Sequence, residues 1–134
     1  MSTVFTKIVQ GEIPSYKLAE DDRFYAFLDI NPLSKGHALV IPKQETDYLF
    51  DLPPALLGDL FRFAQQVAGA IRRSVPCKRI GVVVLGLEVP HAHIHLVPLN
   101  SESDVDFRKP KLQLPDGEMA ALAGKIREEL SAKN

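Results

Sequence analysis

His91-Ala92-His93-Ile94-His95-Leu96-Val97-Pro98 places three of the chain's four histidines at alternate positions. In an extended strand, side chains two residues apart share a face, about 6.6 Å from one another. The spacing predicts a strand over Pro90–Pro98 with His91, His93 and His95 in one row. Proline at each end is what strand termini tolerate. The fourth histidine, His37, opens a second strand-like run, His37-Ala38-Leu39-Val40-Ile41-Pro42. All four imidazoles thus belong to strands.

Working outward, Ser15 to Ile30 predicts two strands joined at Glu20-Asp21-Asp22, a polar cluster suited to a tight hairpin. Tyr16, Leu18, Phe24, Ala26 and Leu28 alternate with Lys17, Ala19, Arg23, Tyr25 and Phe27, and both faces of the second strand are largely apolar. Asn31-Pro32-Leu33-Ser34-Lys35-Gly36 interrupts regular structure before the His37–Pro42 strand. Asp51 followed by Pro53-Pro54 marks a helix start, proline being tolerated in the first turn. Leu57, Leu60, Phe61, Ala64, Val67, Ala68 and Ile71 then recur at helical spacing as one apolar stripe. Pro76 closes that helix, roughly 20 residues and about 30 Å long. Ile80–Leu85 is a further strand. Asn100–Pro115 is a polar, proline-bearing loop, and Asp116-Gly117 opens a last helix with Met119, Leu122, Ala123, Ile126 and Leu130 on its inner face. About five strands with one long packing helix and a C-terminal helix predict an α+β fold with an antiparallel sheet.

The 134 residues, 46% hydrophobic and 25% charged, fit one soluble domain over 1–134 with a core large enough to need no covalent staples. A net charge of −1 supplies no basic field for nucleic acid or an anionic membrane, so neither is expected as a partner. The lone Cys77 permits no internal disulfide and suits a reducing cytosol. Residues 1–13 carry charged and polar groups where a signal peptide would be apolar, and no stretch has the length of a membrane span. A cytoplasmic protein is expected.

Three readings of the histidine row compete. The dullest is decoration of an exposed strand face. A second is a metal site, since neutral imidazoles two apart can share a zinc ion and His37 could add a third ligand. No cysteine lies near the row, and no glutamate follows at short interval. The third is nucleophilic catalysis. An unprotonated imidazole nitrogen attacks phosphorus well at neutral pH, while neighbouring imidazoles stabilise phosphate oxygens and move protons.

His91-Ala92-His93-Ile94-His95-Leu96-Val97 resembles the signature of the histidine-triad superfamily, histidines alternating with apolar residues. Other blocks are similar to the same superfamily and keep its order: Phe5-Thr6-Lys7-Ile8 through Gly11-Glu12-Ile13-Pro14, Ala26-Phe27-Leu28-Asp29-Ile30-Asn31-Pro32, and Gly36-His37-Ala38-Leu39-Val40-Ile41-Pro42-Lys43. Together they span residues 3–98; the tail, 99–134, carries no matching block. The resemblance implies a homodimer with sheets joined across the interface, hydrolysing or transferring nucleotides at an α-phosphate. It implies that His93 is the nucleophile of a nucleotidyl-histidine intermediate, oriented by the carbonyl of His91. His95 and His37 would hydrogen-bond phosphate oxygens or assist proton transfer. Asp29 falls where the family binds ribose hydroxyls, although an aspartate there equally reads as a strand-end turn former. Phe5, Ile8, Phe27 and Ile30, with Val4, match the apolar base pocket, and each also reads as plain core.

Two departures stand out. Some bacterial members hold zinc with an N-terminal Cys-x-x-Cys, a downstream histidine and the first triad histidine; here those positions are Thr3, Thr6 and Glu45. Threonines do not replace thiolates for zinc, so no structural metal and no cofactor are expected. The Hint and Fhit branches cradle the phosphate with a Gly-Gln-Ser/Thr segment, whereas this chain has Leu85-Gly86-Leu87-Glu88-Val89-Pro90. A carboxylate beside a phosphate is repulsive unless protonated or turned away. Glu88 is therefore expected to alter leaving-group preference while sparing the histidine chemistry. The sequence points to a hydrolase or transferase of a purine nucleoside phosphoramidate or related nucleotidyl conjugate. A nucleotide-binding regulatory protein with weak turnover and a metal-dependent enzyme on the same histidines are the alternatives.

Overall fold

The computed structural model describes residues 2–132, so Met1 and residues 133–134 of the expected domain lie outside it. Period-two alternation sorts the side chains of β2 (Phe24–Leu28) and β3 (Ala38–Pro42) to two faces, both of them covered. On one face Phe24, Ala26, Leu28, Ala38 and Val40 pack with Leu60, Ala64, Val67 and Ile71 of α2 (Pro54–Ser74). Met119, Leu122, Ala123 and Ile126 of α3 (Asp116–Ala132) join the same core. On the other face Tyr25, Phe27, Leu39 and Ile41 meet Phe5, Ile8 and Val9 of α1 (Val4–Val9). The apolar character of both faces of β2 is thereby explained: the central strands are sandwiched.

The remaining strands are β1 (Lys17–Glu20), β4 (Arg79–Val83) and β5 (Ile94–Leu99). All neighbours are antiparallel, in the order β1-β2-β3-β5-β4. The predicted α+β architecture, with its long packing helix and C-terminal helix, is the observed one. Asp21 builds the first hairpin turn, its carboxylate accepting from the amides of Arg23 and Phe24. Gly36 ends the turn before β3 with φ +97°, and a Cβ there would meet Val75 at 3.0 Å and Pro98 at 3.1 Å. Only glycine lets the chain pass this close to the end of α2, and that passage delivers His37 to the start of β3. Among the described residues no helix is long and apolar enough to cross a membrane.

Several details depart from expectation. Residues 4–9, assigned no element, form α1, capped by Thr3 Oγ1 accepting from the Thr6 amide at 3.0 Å. Phe61, placed on the α2 stripe, is 39% exposed. It lies about 100° round the helix from Leu60, beyond the reach of the sheet. β4 stops at Val83 rather than Leu85. The histidine strand begins only at Ile94, because the His91 amide bonds Val89 O at 2.8 Å and the Ala92 amide bonds Thr46 O at 2.6 Å. Residues 91–93 are thus tied to loops. The 100–115 loop contains a 3-10 turn, Glu102–Val105, closed by a reciprocal Ser101–Asp104 capping box.

Candidate active site

Immediately before β3, His37 continues the face of Leu39 and Ile41, and Leu39 pairs directly with His95 of β5. His37 and His95 are therefore diagonal cross-strand neighbours. Their ring centroids are 5.2 Å apart, and Nε2 of His37 lies 3.0 Å from Nδ1 of His95. The His93 and His95 rings stand 5.0 Å apart. Phe5 reaches from α1 to touch His93 and His91 edge-on, at 5.0 and 5.7 Å. The predicted row is realised for His93 and His95, extended by His37. His91 is turned aside, toward Pro42 and Thr3.

The partners determine where the ring protons sit. His37 Nδ1 lies 3.0 Å from the Leu33 amide, which can only donate, so neutral His37 carries its proton on Nε2. That N–H donates to His95 Nδ1 at 3.0 Å, leaving His95 with its proton on Nε2. His93 donates its Nδ1–H to the His91 carbonyl at 2.7 Å, which frees the Nε2 lone pair. His91 donates Nε2–H to the Pro42 carbonyl at 2.8 Å. Burial, then the charges of His95 and Lys111, lowers the His37 pKa to about 3. Burial, then His93, lowers that of His95 to about 4. Burial also lowers His91, although the Pro42 carbonyl and Glu45 oppose it. At neutral pH these three rings are uncharged.

His93 and His95 line a cavity of about 610 Å³. Val4, Phe5, Ile8, Phe27 and Ile30 form apolar walls around it, and Asp29 and Glu88 line it too. His37 and His91 are buried and outside that lining. The turn reading of Asp29 is met: one carboxylate oxygen accepts from the Asn31 amide at 2.8 Å, and the other lies 3.6 Å from His37 Nε2. Burial raises the Asp29 pKa, while the Asn31 amide, Lys111 and His93 oppose the rise. Ile30 is 67% exposed and belongs to the rim rather than the core.

The tail contributes two residues that sequence reasoning passed over. Phe107 packs edge-on against His95 at 4.9 Å and His37 at 6.2 Å, and it lines the cavity together with Lys111. Lys111 Nζ donates to the Phe107 carbonyl at 2.7 Å, and the Leu112 amide to the Pro32 carbonyl at 2.9 Å. The available signal was Phe107 itself, the sole Phe, Tyr or Trp after Phe63, set among charged residues.

Asp29, His37 and His95 offer ligand atoms within 4.8 Å of one another, the one such metal-capable group among the described residues. The tautomers argue against a resident metal there. Neutral imidazole has one lone pair, and that of His37 already accepts from the Leu33 amide. His95 Nδ1 is likewise engaged by His37.

An antiparallel α+β sheet that aligns buried, hydrogen-bonded imidazoles beside an apolar-walled cavity with a carboxylate on its rim defines a class of histidine-site protein. The chain belongs to the HIT domain family, whose profile matches residues 10–102. It is similar to adenosine 5'-monophosphoramidase HNT1 of Saccharomyces cerevisiae, 37% identical over 131 residues that cover 97% of this chain and 81% of the yeast protein. Adenylylsulfatase HINT3 of Arabidopsis thaliana is 32% identical over 136 residues, 95% of this chain and 68% of the plant protein. A zinc-bound histidine triad family protein from Mycobacterium smegmatis superposes with a TM-score of 0.83 at 30% identity, covering 99% and 96% of the two chains.

Proposed function

We propose that the protein is a nucleotidyl hydrolase or transferase working at an α-phosphate, with His93 as nucleophile. The observation that carries this is the tautomer of His93. Its Nδ1–H is held by the His91 carbonyl and its Nε2 lone pair is left free, on a ring that lines the cavity. Nε2 attacks phosphorus as the bond to the leaving group breaks, and a departing amine takes its proton from solvent. The nucleotidyl-imidazolium formed is positively charged, and the His91 carbonyl stabilises it through Nδ1–H. The Nε2–H of His95 hydrogen-bonds phosphate oxygens, and His37 holds that tautomer from behind. Water then attacks phosphorus, giving its proton to solvent, and His93 departs as neutral imidazole. No metal takes part in these steps.

The apolar walls suit a purine base and Asp29 the ribose hydroxyls. The relatives' names, a monophosphoramidase and an adenylylsulfatase, support a nucleoside phosphoramidate or related nucleotidyl conjugate as substrate. Release of AMP from adenosine phosphoramidate by chelator-treated protein is the test. Measurable AMP affinity without release would instead favour a regulatory binding protein. The feature behind that second reading is the 85–90 loop, where Leu87 is 87% exposed and Glu88 lines the cavity.

Glu88 is expected to disfavour anionic leaving groups. In Glu88→Ser, kcat/KM for adenylyl sulfate should rise about tenfold relative to that for the phosphoramidate, equivalent to ~1.4 kcal/mol of selective repulsion. An unchanged ratio removes the idea. A homodimer through β4 belongs to the same proposal. β4 is an edge strand with Val82 55% exposed, and Val84 and Leu85 follow it exposed. A solution mass of one chain, 14.9 kDa, would refute it. A cytoplasmic setting and a single domain complete the reading.

A further inference from the structure

We infer that Thr3, Thr6 and Glu45 form a metal-free clasp that positions the nucleophile His93 by way of His91. The inference rests on the reading of His93 as nucleophile. The Thr3 amide and the Thr6 hydroxyl both donate to Glu45 Oε1 at 2.7 Å. The Thr6 amide donates to Thr3 Oγ1 at 3.0 Å, and Thr3 Oγ1 lies 2.8 Å from His91 Nδ1. Thr6 Oγ1 stands farther off, 3.2 Å from Thr3 Oγ1 and 3.5 Å from His91 Nδ1.

The directions of these bonds follow from one fixed end. The Pro42 carbonyl can only accept, so His91 carries its proton on Nε2 and Nδ1 is an acceptor. The Thr3 hydroxyl must then donate to His91, while its lone pair takes the Thr6 amide. The Thr6 hydroxyl proton is left for Glu45, a carboxylate with no proton of its own to give. Every donor has an acceptor, and no lone pair of His91 remains for a metal. Two hydroxyls and a carboxylate do not make a zinc site, which calls for thiolate, imidazole and carboxylate donors.

The consequence lies one residue pair away. The His91 ring is anchored at both nitrogens, by Pro42 at the end of β3 and by Thr3 at the cap of α1. The carbonyl of that same residue receives the His93 Nδ1–H at 2.7 Å. Moving the ring therefore moves the acceptor that sets the nucleophile's tautomer. α1 also carries Phe5, whose ring stacks edge-on against His93 at 5.0 Å. Six residues are too few to hold a helix by themselves, so the clasp seats Phe5 as well. Thr3, Thr6 and Glu45 are outside the cavity lining, which makes them positioning residues rather than catalytic ones.

Thr3→Val keeps the shape and removes the hydroxyl; Thr3→Ser keeps the hydroxyl. The measurements are kcat and KM for AMP release from adenosine phosphoramidate and the imidazole 15N shifts of His91 and His93. Thr3→Val should lower kcat about 10- to 100-fold with KM nearly unchanged, since a small misplacement of a reacting group has that effect. The His93 shifts should move from a single Nδ1–H tautomer toward a mixture, and Thr3→Ser should restore both readouts. Should Thr3→Val not fold, Glu45→Ala, which removes the shared acceptor of the Thr3 amide and the Thr6 hydroxyl, decides by the same two readouts with a smaller loss. Parental kcat and an unmixed tautomer in the folded variant overturn the clasp, provided His93→Ala is inactive. Full activity of His93→Ala overturns the nucleophile reading itself. A kcat that rises on adding zinc to chelator-treated parent overturns the metal-free assignment.

Discussion

His93→Ala is expected to lower kcat for AMP release from adenosine phosphoramidate by about 10⁴-fold or more, the scale on which losing a covalent nucleophile acts. The ring leaves a gap beside Phe5 and His95, but it sits at the cavity wall and outside the helix-packed core, so the fold should survive. His95→Ala, which removes one hydrogen-bond donor to the phosphate and leaves the nucleophile, should cost less, about 10²- to 10³-fold. The order of the two losses is the informative result. Equal small losses in both would mean that water attacks directly and that the imidazoles merely bind. Acid-quenched trapping of a labelled nucleotide on the parent protein, absent from His93→Ala, checks the covalent step separately.

Acid should destabilise the protein as pH falls below the ordinary histidine value of about 6.5. His37 and His95 are buried and neutral, with pKa values of about 3 and about 4. In the unfolded chain both return to the ordinary histidine value of about 6.5. Below that pH the unfolded state binds protons that the folded state refuses, so unfolding becomes easier as pH falls; stability is regained as pH rises through 6.5. Each ring contributes about 1.4 kcal/mol per pH unit, so at pH 4.5 the two together remove of the order of 5 kcal/mol. That is a large share of a typical domain's stability. Urea denaturation between pH 7.5 and 4.5 measures it, and His37→Gln should roughly halve the slope. A flat profile over that range would mean that the rings are not held neutral, and the proton placement derived from the Leu33 amide would fall with it.

The Leu87-Glu88 loop shows how far a sequence reading of the site could go. The substitution was visible in the string, and with it the conflict between carboxylate and phosphate. Its place on the cavity wall was not, because the loop joins β4 to the histidine segment without regular structure to set its path. Thr3, Thr6 and Glu45 were legible as residues unsuited to zinc. That they bond to one another and to His91 required a contact across 42 residues and another across 88.

By itself the sequence determined most strands, the two long helices and the pairing of the first hairpin, because alternation and helical period are local properties of consecutive residues, and its ordered motifs carried the resemblance to the family; α1 was not legible in it. It also determined which side chains were candidates for the chemistry, through the spacing of four histidines. The tertiary structure alone decided which of those histidines face the cavity and which stand behind it. It likewise decided that residues 91–93 leave the strand and that Phe107 and Lys111 return from the tail to the site. It placed each ring proton as well, for a tautomer is set by the donor or acceptor the fold brings against the ring, here the Leu33 amide and the Pro42 and His91 carbonyls.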